Sequence, residues 1–243
     1  VSAAEWILVA SAVLVAATAQ YTAGFGFALL GVPLMALAID TRDAVIIAVW
    51  LGLVTSAVQT VEGRGVIDRP VARRLVLGSL VGIPLGSTVF VLVPERALTA
   101  ILGVSVLAAT LLLARGIELS SPRRGPEWAA GIVSGALASS LSTNGPPLVA
   151  VLQARRYPIA VFRATINTVF AVANVVTLVA FAITDELRLE QSWWSLVLLP
   201  LVGLGLAIGG RLRRHIDESR ARRLVLLLLA VAGVSATLSA LAG

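Results

Sequence analysis

Ser139-Ser140-Leu141-Ser142-Thr143-Asn144-Gly145-Pro146-Pro147 is the stretch on which the fold turns. It separates two apolar runs, 128–142 and 145–154, and the second is too short to cross a bilayer. A full helical span takes about 20 residues, within a range of roughly 17 to 25. Polar residues leading into Gly-Pro-Pro interrupt a helix, and in hydrocarbon such an interruption is tolerated only where protein or a cavity satisfies the freed backbone. The same arrangement occurs earlier in the chain. Gln20-Tyr21-Thr22-Ala23-Gly24-Phe25-Gly26 divides a run at 4–23 from a short one at 27–39.

Around these two breaks lie further apolar runs at 44–60, 75–93, 97–114, 159–183, 193–210 and 224–241, each long enough to span. The 243-residue chain is 58% hydrophobic and 13% charged, with a mean hydropathy of +0.96. A soluble domain of this length carries about 25% charged residues. The composition therefore specifies an all-α, polytopic integral membrane protein and excludes a soluble enzyme. The chain has no cysteine, which excludes a disulfide scaffold, Cys-ligated zinc or iron–sulfur, and thiol catalysis. Runs 27–39 and 145–154 are expected to be re-entrant half-helices, with longer tilted crossings as the alternative.

All 19 basic residues are arginine, and they lie between apolar runs, not on one face of a folded domain as nucleic-acid binding requires. One set of loops holds Arg64, Arg69, Arg73, Arg74, Arg115, Arg123, Arg124, Arg155, Arg156, Arg163, Arg211, Arg213, Arg214, Arg220, Arg222 and Arg223. The alternate loops hold only Arg42, Arg96 and Arg188, among the acids Asp40, Asp43, Glu95, Asp185, Glu186 and Glu190. The first set is expected to be cytoplasmic and both termini external, in a bacterial inner membrane. The first run lacks a basic leader and a cleavage site, so no cleavable signal peptide is expected.

Gly31-Val32-Pro33-Leu34 resembles Gly145-Pro146-Pro147-Leu148, and Leu80-Val81-Gly82 recurs as Leu201-Val202-Gly203. Each pair lies about half the chain apart, and the arginine bias sends the run at 75–93 outward and its counterpart at 193–210 inward. The expectation is two inverted repeats of about five helical segments each, residues 1–116 and 127–243, joined by a cytoplasmic linker at 117–126. That is an architecture of secondary transporters, with substrate bound near the midplane between the halves.

A helix that begins inside the membrane leaves unpaired N–H groups, and an anion is their natural acceptor because the helix dipole also favours negative charge. Asn144 suits a helix N-cap and the prolines suit the first turn. Candidate ligands are therefore Gln20, Thr22, Gly24 and Gly26 at the first break and Thr143, Asn144, Gly145, Pro146 and Pro147 at the second, with Gln153 ending the second short run. Arg163, Asn167, Asn174 and Thr177 share one stripe of the run at 159–183, and Thr55 and Gln59 make a shorter stripe at 44–60. Arg163 is therefore expected to add charge to the anion pocket, and Asn167, Asn174 and Gln59 to bind the anion and tune selectivity. Other readings stay open: the glycines and prolines kink packed helices, Arg163 snorkels to the interface, and the asparagines join helices by hydrogen bonds.

No Asp or Glu lies mid-span, and the one histidine, His215, is placed in a cytoplasmic loop. The chain therefore offers no intramembrane proton relay or carboxylate cation cage. No metal site, cofactor or catalytic constellation is expected.

Gly24-Phe25-Gly26 leading to Pro33-Leu34 resembles the first signature of the sulfite exporter TauE/SafE family of anion permeases. Gly131-Ile132-Val133-Ser134-Gly135, Asn144-Gly145-Pro146-Pro147-Leu148 and Phe162-Arg163-Ala164-Thr165 are similar to its second, and the likeness covers essentially the whole chain. Members often carry Gly-Gly-Pro-Pro where this chain has Asn144-Gly145-Pro146-Pro147. The resemblance implies a plasma-membrane carrier of small inorganic or organosulfur anions such as sulfite, thiosulfate and sulfonates. Export by alternating access is expected, because an interior-negative potential drives an anion outward by about 2.3 kcal/mol per charge per 100 mV. An anion channel and a non-transporting membrane scaffold are the alternatives, and a homodimer is an open option.

Overall fold

Among the described residues, ten helices account for the apolar runs, one for one. The computed structural model describes residues 2–115, 124–215 and 218–242, so most of the expected linker at 117–126 lies outside the described residues. The helices are α1 Ala3–Ala23, α2 Phe27–Met35, α3 Thr41–Gly63, α4 Arg69–Leu92, α5 Glu95–Arg115, α6 Arg124–Leu141, α7 Gly145–Gln153, α8 Ile159–Ile183, α9 Leu189–His215 and α10 Glu218–Ala242. No strand occurs among the described residues. Helices α1, α3, α4, α5, α8 and α9 are long and apolar enough to cross a membrane. Large apolar side chains such as Leu85, Leu111, Val133, Ile183 and Leu196 are exposed on the outside, where a bilayer would cover them.

The short runs form nine-residue helices, about 13 Å long and under half of a hydrocarbon core. Helix α2 is almost wholly buried, with Leu30, Val32 and Met35 fully enclosed. It packs against α1, α3 and α10, while α7 packs against α6, α8 and α5.

Contacts at the two ends show which way the long helices α1, α3, α4, α5, α6, α8 and α9 run. The starts of α3, α5 and α9 meet at one end, where the Thr41 N–H donates to Glu95 and Gln191 Nε2 donates to Asp43 Oδ1. Trp6, near the start of α1, packs edge-on against Trp194 of α9 at 5.3 Å between ring centres. The starts of α4, α6 and α8 meet at the opposite end, where Arg74 and Arg155 both bind Glu127, and the Tyr157 hydroxyl donates to Asp68. Thus α1 and α2 form a hairpin that leaves from and returns to one end, and α6 and α7 form one that does so at the other. The second end gathers the arginine-rich connections.

Helix pairing is matched between the halves. Helices α3 and α8 pack against one another, as do α5 and α10; α4 lies on α6 as α9 lies on α1. Both of the latter contacts are close. Gly78, Gly82 and Gly86 of α4 face Gly131 and Gly135 of α6, and a Cβ on Gly82 would fall on the Ile132 carbonyl. In lipid no hydrophobic force drives helices together, so such small-residue seams supply van der Waals contact instead. Gly82→Leu is expected to cost at least the upper end of the about 1–3 kcal/mol typical of overpacking. Loss of the monodisperse peak in detergent chromatography would register it, and a wild-type profile would contradict the close seam.

Two readings of the sequence change. The likeness between Gly31-Val32-Pro33 and Gly145-Pro146-Pro147 is not the register the helices use: Gly31 lies inside α2, which starts at Phe27, whereas Gly145 opens α7. His215 is the last residue of α9, its Nδ1 2.9 Å from the Arg211 carbonyl, and not a loop residue.

Candidate functional site

The first break is built on two left-handed glycines, Gly24 at φ +92° and Gly26 at φ +108°. Any other residue is disfavoured there. At Gly24 space also forbids one, because a Cβ would lie 2.6 Å from Arg163 Cγ. The Gly24 N–H closes α1 on the Gln20 carbonyl at 2.7 Å. Arg163 then crosses from α8 and donates to the Thr22 carbonyl, so its charge sits at the negative end of the α1 dipole.

Gln20 organises the space inside this turn. Its Oε1 accepts from the Phe27 N–H at 2.9 Å, capping α2, which has no cap from Gly26. Its Nε2 faces Thr55 Oγ1 at 3.2 Å, Ser56 Oγ at 3.2 Å and Asn167 Oδ1 at 3.3 Å. Asn167 Nδ2 donates in turn to the carbonyls of Gly24 and Arg163, each at 2.9 Å, and reaches Gln59 Oε1 at 3.5 Å. The polar stripes of α3 and α8 thus close on one another around the end of α1.

The second break is less satisfied. Helix α6 ends on Ser142, whose φ of +57° is a left-handed closure made without glycine. Asn144 precedes α7 in right-handed backbone, and its side chain makes no capping bond, contrary to the expectation from its residue type. The Asn144 carbonyl accepts from Ser134 Oγ at 2.9 Å. Its Nδ2 is buried without a partner, as are Thr143 Oγ1 and Thr177 Oγ1. Because Pro146 and Pro147 carry no N–H, this helix start has fewer backbone amides to satisfy than that of α2.

The two breaks share one small cavity of about 20 Å³, room for a water but not yet for a polyatomic ion. Gln20, Ser56, Ser142, Asn144 and Asn174 supply its polar wall, together with Gly26, Gly52 and Gly145. Phe27, Ala28, Leu29, Ala48 and Phe170 supply the apolar part. The starts of α2 and α7 therefore face one space, and their dipoles together offer roughly one positive unit. No side chain in this lining is charged.

Of the residues singled out from sequence, Gln20, Gly26, Asn144, Gly145 and Asn174 line the cavity. Gly24, Gln59, Arg163, Asn167 and the Thr22 carbonyl form the supporting layer beneath the first break. Thr143, Pro146 and Pro147 sit behind the second, and Gln153 ends α7 near the arginine-rich end. Ser56, Gly52, Ala48, Ser142 and Phe170 were missed. A signal existed for most: Ala48, Gly52 and Ser56 recur every fourth residue on α3, a stripe of small side chains.

Two clusters of polar contacts join helices at the two ends of the bundle. At the arginine-rich end Glu127, its side chain 1% exposed, holds Arg74 of α4 and Arg155 from the α7–α8 connection. Tyr157 bonds to both Arg155 and Asp68, and the Asp68 N–H donates to Thr165 Oγ1 of α8 at 3.1 Å. At the other end Asp43 binds Gln191 at 2.6 Å, while Arg42 donates to the Val91 and Val93 carbonyls. The start of α8 is thus tied to α4 at one end as α3 is tied to α9 at the other.

Burial, and then the hydrogen bond to Asp68, push the Tyr157 phenol up to about 12 from an ordinary 10.0. A raised phenol favours its neutral form in the folded protein. The resulting stability is complete below about pH 10 and is lost as the pH climbs toward 12. An absorbance titration should therefore show Tyr157 ionising late, near pH 12, and Tyr157→Phe should remove that component.

The sequence profile of the sulfite exporter TauE/SafE family matches residues 9–236. The chain belongs to the TauE/SafE family. It is also similar to the Probable inner membrane transporter protein TsaS of Comamonas testosteroni, at 35% identity over 119 residues, 46% of this chain and 48% of that protein. The chain thus aligns with about half the length of that relative. No solved structure matches the chain. Family membership and the membrane-length helices together make this a multi-pass membrane protein of the TauE/SafE family.

Proposed function

We propose that the chain moves a small oxyanion, of the sulfite or organosulfonate kind, across the inner membrane by alternating access, with the cavity between α2 and α7 as its binding site. The observation that carries this reading is the convergence of two half-helix starts on a cavity that also holds the unpartnered Asn144 Nδ2. Amides, hydroxyls and helix dipoles can take up an anion without a counter-cation, whereas a cation would meet only the positive ends of the helices. The apolar wall of Phe27, Leu29 and Phe170 accommodates the organic part of a sulfonate.

Alternating access is supported by the matched clusters at the two ends, since a carrier opens one while the other stays closed. Matched helix pairing and opposite helix directions support two inverted halves, residues 1–116 and 127–243. The arginine-rich end, placed in the cytoplasm, leaves both termini outside.

Proteoliposomes loaded with sulfite test the function. Efflux is expected to saturate with sulfite concentration and to rise when the interior is made negative, because no charged side chain in the site compensates the cargo. Electroneutral efflux would refute charge-carrying uniport, and efflux that does not saturate would favour a channel.

A further inference from the structure

We propose that Gln20 is not a ligand for the anion but its internal stand-in, a positioning residue that holds the α2 amide while the site is empty and competes with cargo for it. The inference rests on the cavity being an anion site, and it assigns Gln20 the opposite role to its neighbour Asn144.

The two half-helix starts differ in how they are satisfied. At α7 nothing caps the helix, and Asn144 Nδ2 is buried with no acceptor. At α2 the first amide is already taken: Phe27 N–H donates to Gln20 Oε1 at 2.9 Å. Gln20 is 3% exposed and lines the cavity. Both hydrogens of its amide face the oxygens of Thr55, Ser56 and Asn167. Its donors are thus spent on α3 and α8, and what it presents to the helix start is a partly negative carbonyl oxygen. That atom occupies the position an anionic oxygen would take and repels one that approaches.

A stand-in of this kind answers two physical requirements. An empty buried N–H is costly, so the unloaded site needs an acceptor of its own. Transport also requires that cargo be able to leave, and a competitor that reclaims the amide keeps binding from becoming a trap. When cargo displaces Gln20 Oε1, the bonds tying α1 to α3 and α8 are disturbed as well. Occupancy of the site is thereby coupled to the packing of the helices that must move.

The test compares Gln20→Met and Gln20→Glu with wild type, reading sulfite affinity by calorimetry in detergent and sulfite flux in vesicles. Methionine keeps the volume but cannot accept the amide, so sulfite should bind up to about tenfold tighter, the worth of one freed charge-assisted hydrogen bond. Turnover should fall, because release slows. Glutamate fixes a full negative charge on the same amide and should abolish binding. Weaker binding in Gln20→Met would overturn the proposal and make Gln20 an ordinary ligand or support. If that variant does not fold, retained sulfite binding in Gln20→Glu overturns it equally. Wild-type protein that binds none of sulfite, thiosulfate or methanesulfonate would instead remove the anion reading, and this inference with it.

Discussion

Asn144→Leu is expected to weaken sulfite binding and lower sulfite flux in proteoliposomes by about 10- to 100-fold while leaving the protein folded. The magnitude follows from removing a buried donor to an ion, a bond worth about 1.5–3 kcal/mol. The folded state should tolerate the change because the Asn144 side chain makes no capping bond and its Nδ2 has no partner. Leucine has a similar volume and exchanges an unsatisfied amide for apolar surface, so the melting temperature without ligand should hold or rise. That divergence separates the binding reading from the two bland ones. If Asn144 only joined helices, stability and flux would fall together. If the chain were a scaffold, flux would be absent in wild type as well. Asn144→Asp should be more severe for flux, since a carboxylate at the start of α7 takes the anion's place.

The ten helices were legible because apolar runs interrupted by arginine or by Gly-Pro leave few alternatives in a membrane, and each short run proved to be a nine-residue helix. The residues at the breaks were legible for the same reason, since a helix start inside hydrocarbon needs a partner. What the sequence could not disclose was depth. Arg163 and Asn167 share a stripe with Asn174, yet only Asn174 reaches the cavity, because Gly24 lets the Arg163 side chain lie flat behind the turn. Periodicity places residues on a face and says nothing of how far along that face the neighbouring chain turns back. Ser142 escaped notice because a left-handed serine has no residue signature, whereas Gly24 and Gly26 announce theirs.

The second consequence concerns Glu127. It appeared from sequence as one more acid at a helix end, but it is fully buried in the first turn of α6, between Arg74 and Arg155. Arginines outnumber acids at this end of the bundle, so the one carboxylate buried between two of them binds three separate elements: α4, α6 and the connection that leaves α7. Glu127→Ala leaves two partly buried guanidiniums facing one another without compensation. Breaking a buried pair by removing one partner costs about 3–5 kcal/mol, and thermal unfolding in detergent should register a loss of that order. The effect should not stop at stability. Arg155 lies just beyond the end of α7, the helix whose start lines the cavity, so freeing it is expected to loosen that helix. The natural chain has no cysteine, and Ser142→Cys therefore provides a single reporter in the cavity wall. In inside-out vesicles, a membrane-impermeant maleimide should label that cysteine faster when Glu127 is replaced, whereas labelling from the opposite face should slow or stay constant. Glu127→Gln keeps the shape and one hydrogen bond, and should show the same bias with less loss of stability. Equal acceleration from both faces would mean general loosening of the bundle and would remove Glu127 from the gate. Acceleration confined to the arginine-rich face follows only if this cluster is what shuts the cavity toward the cytoplasm.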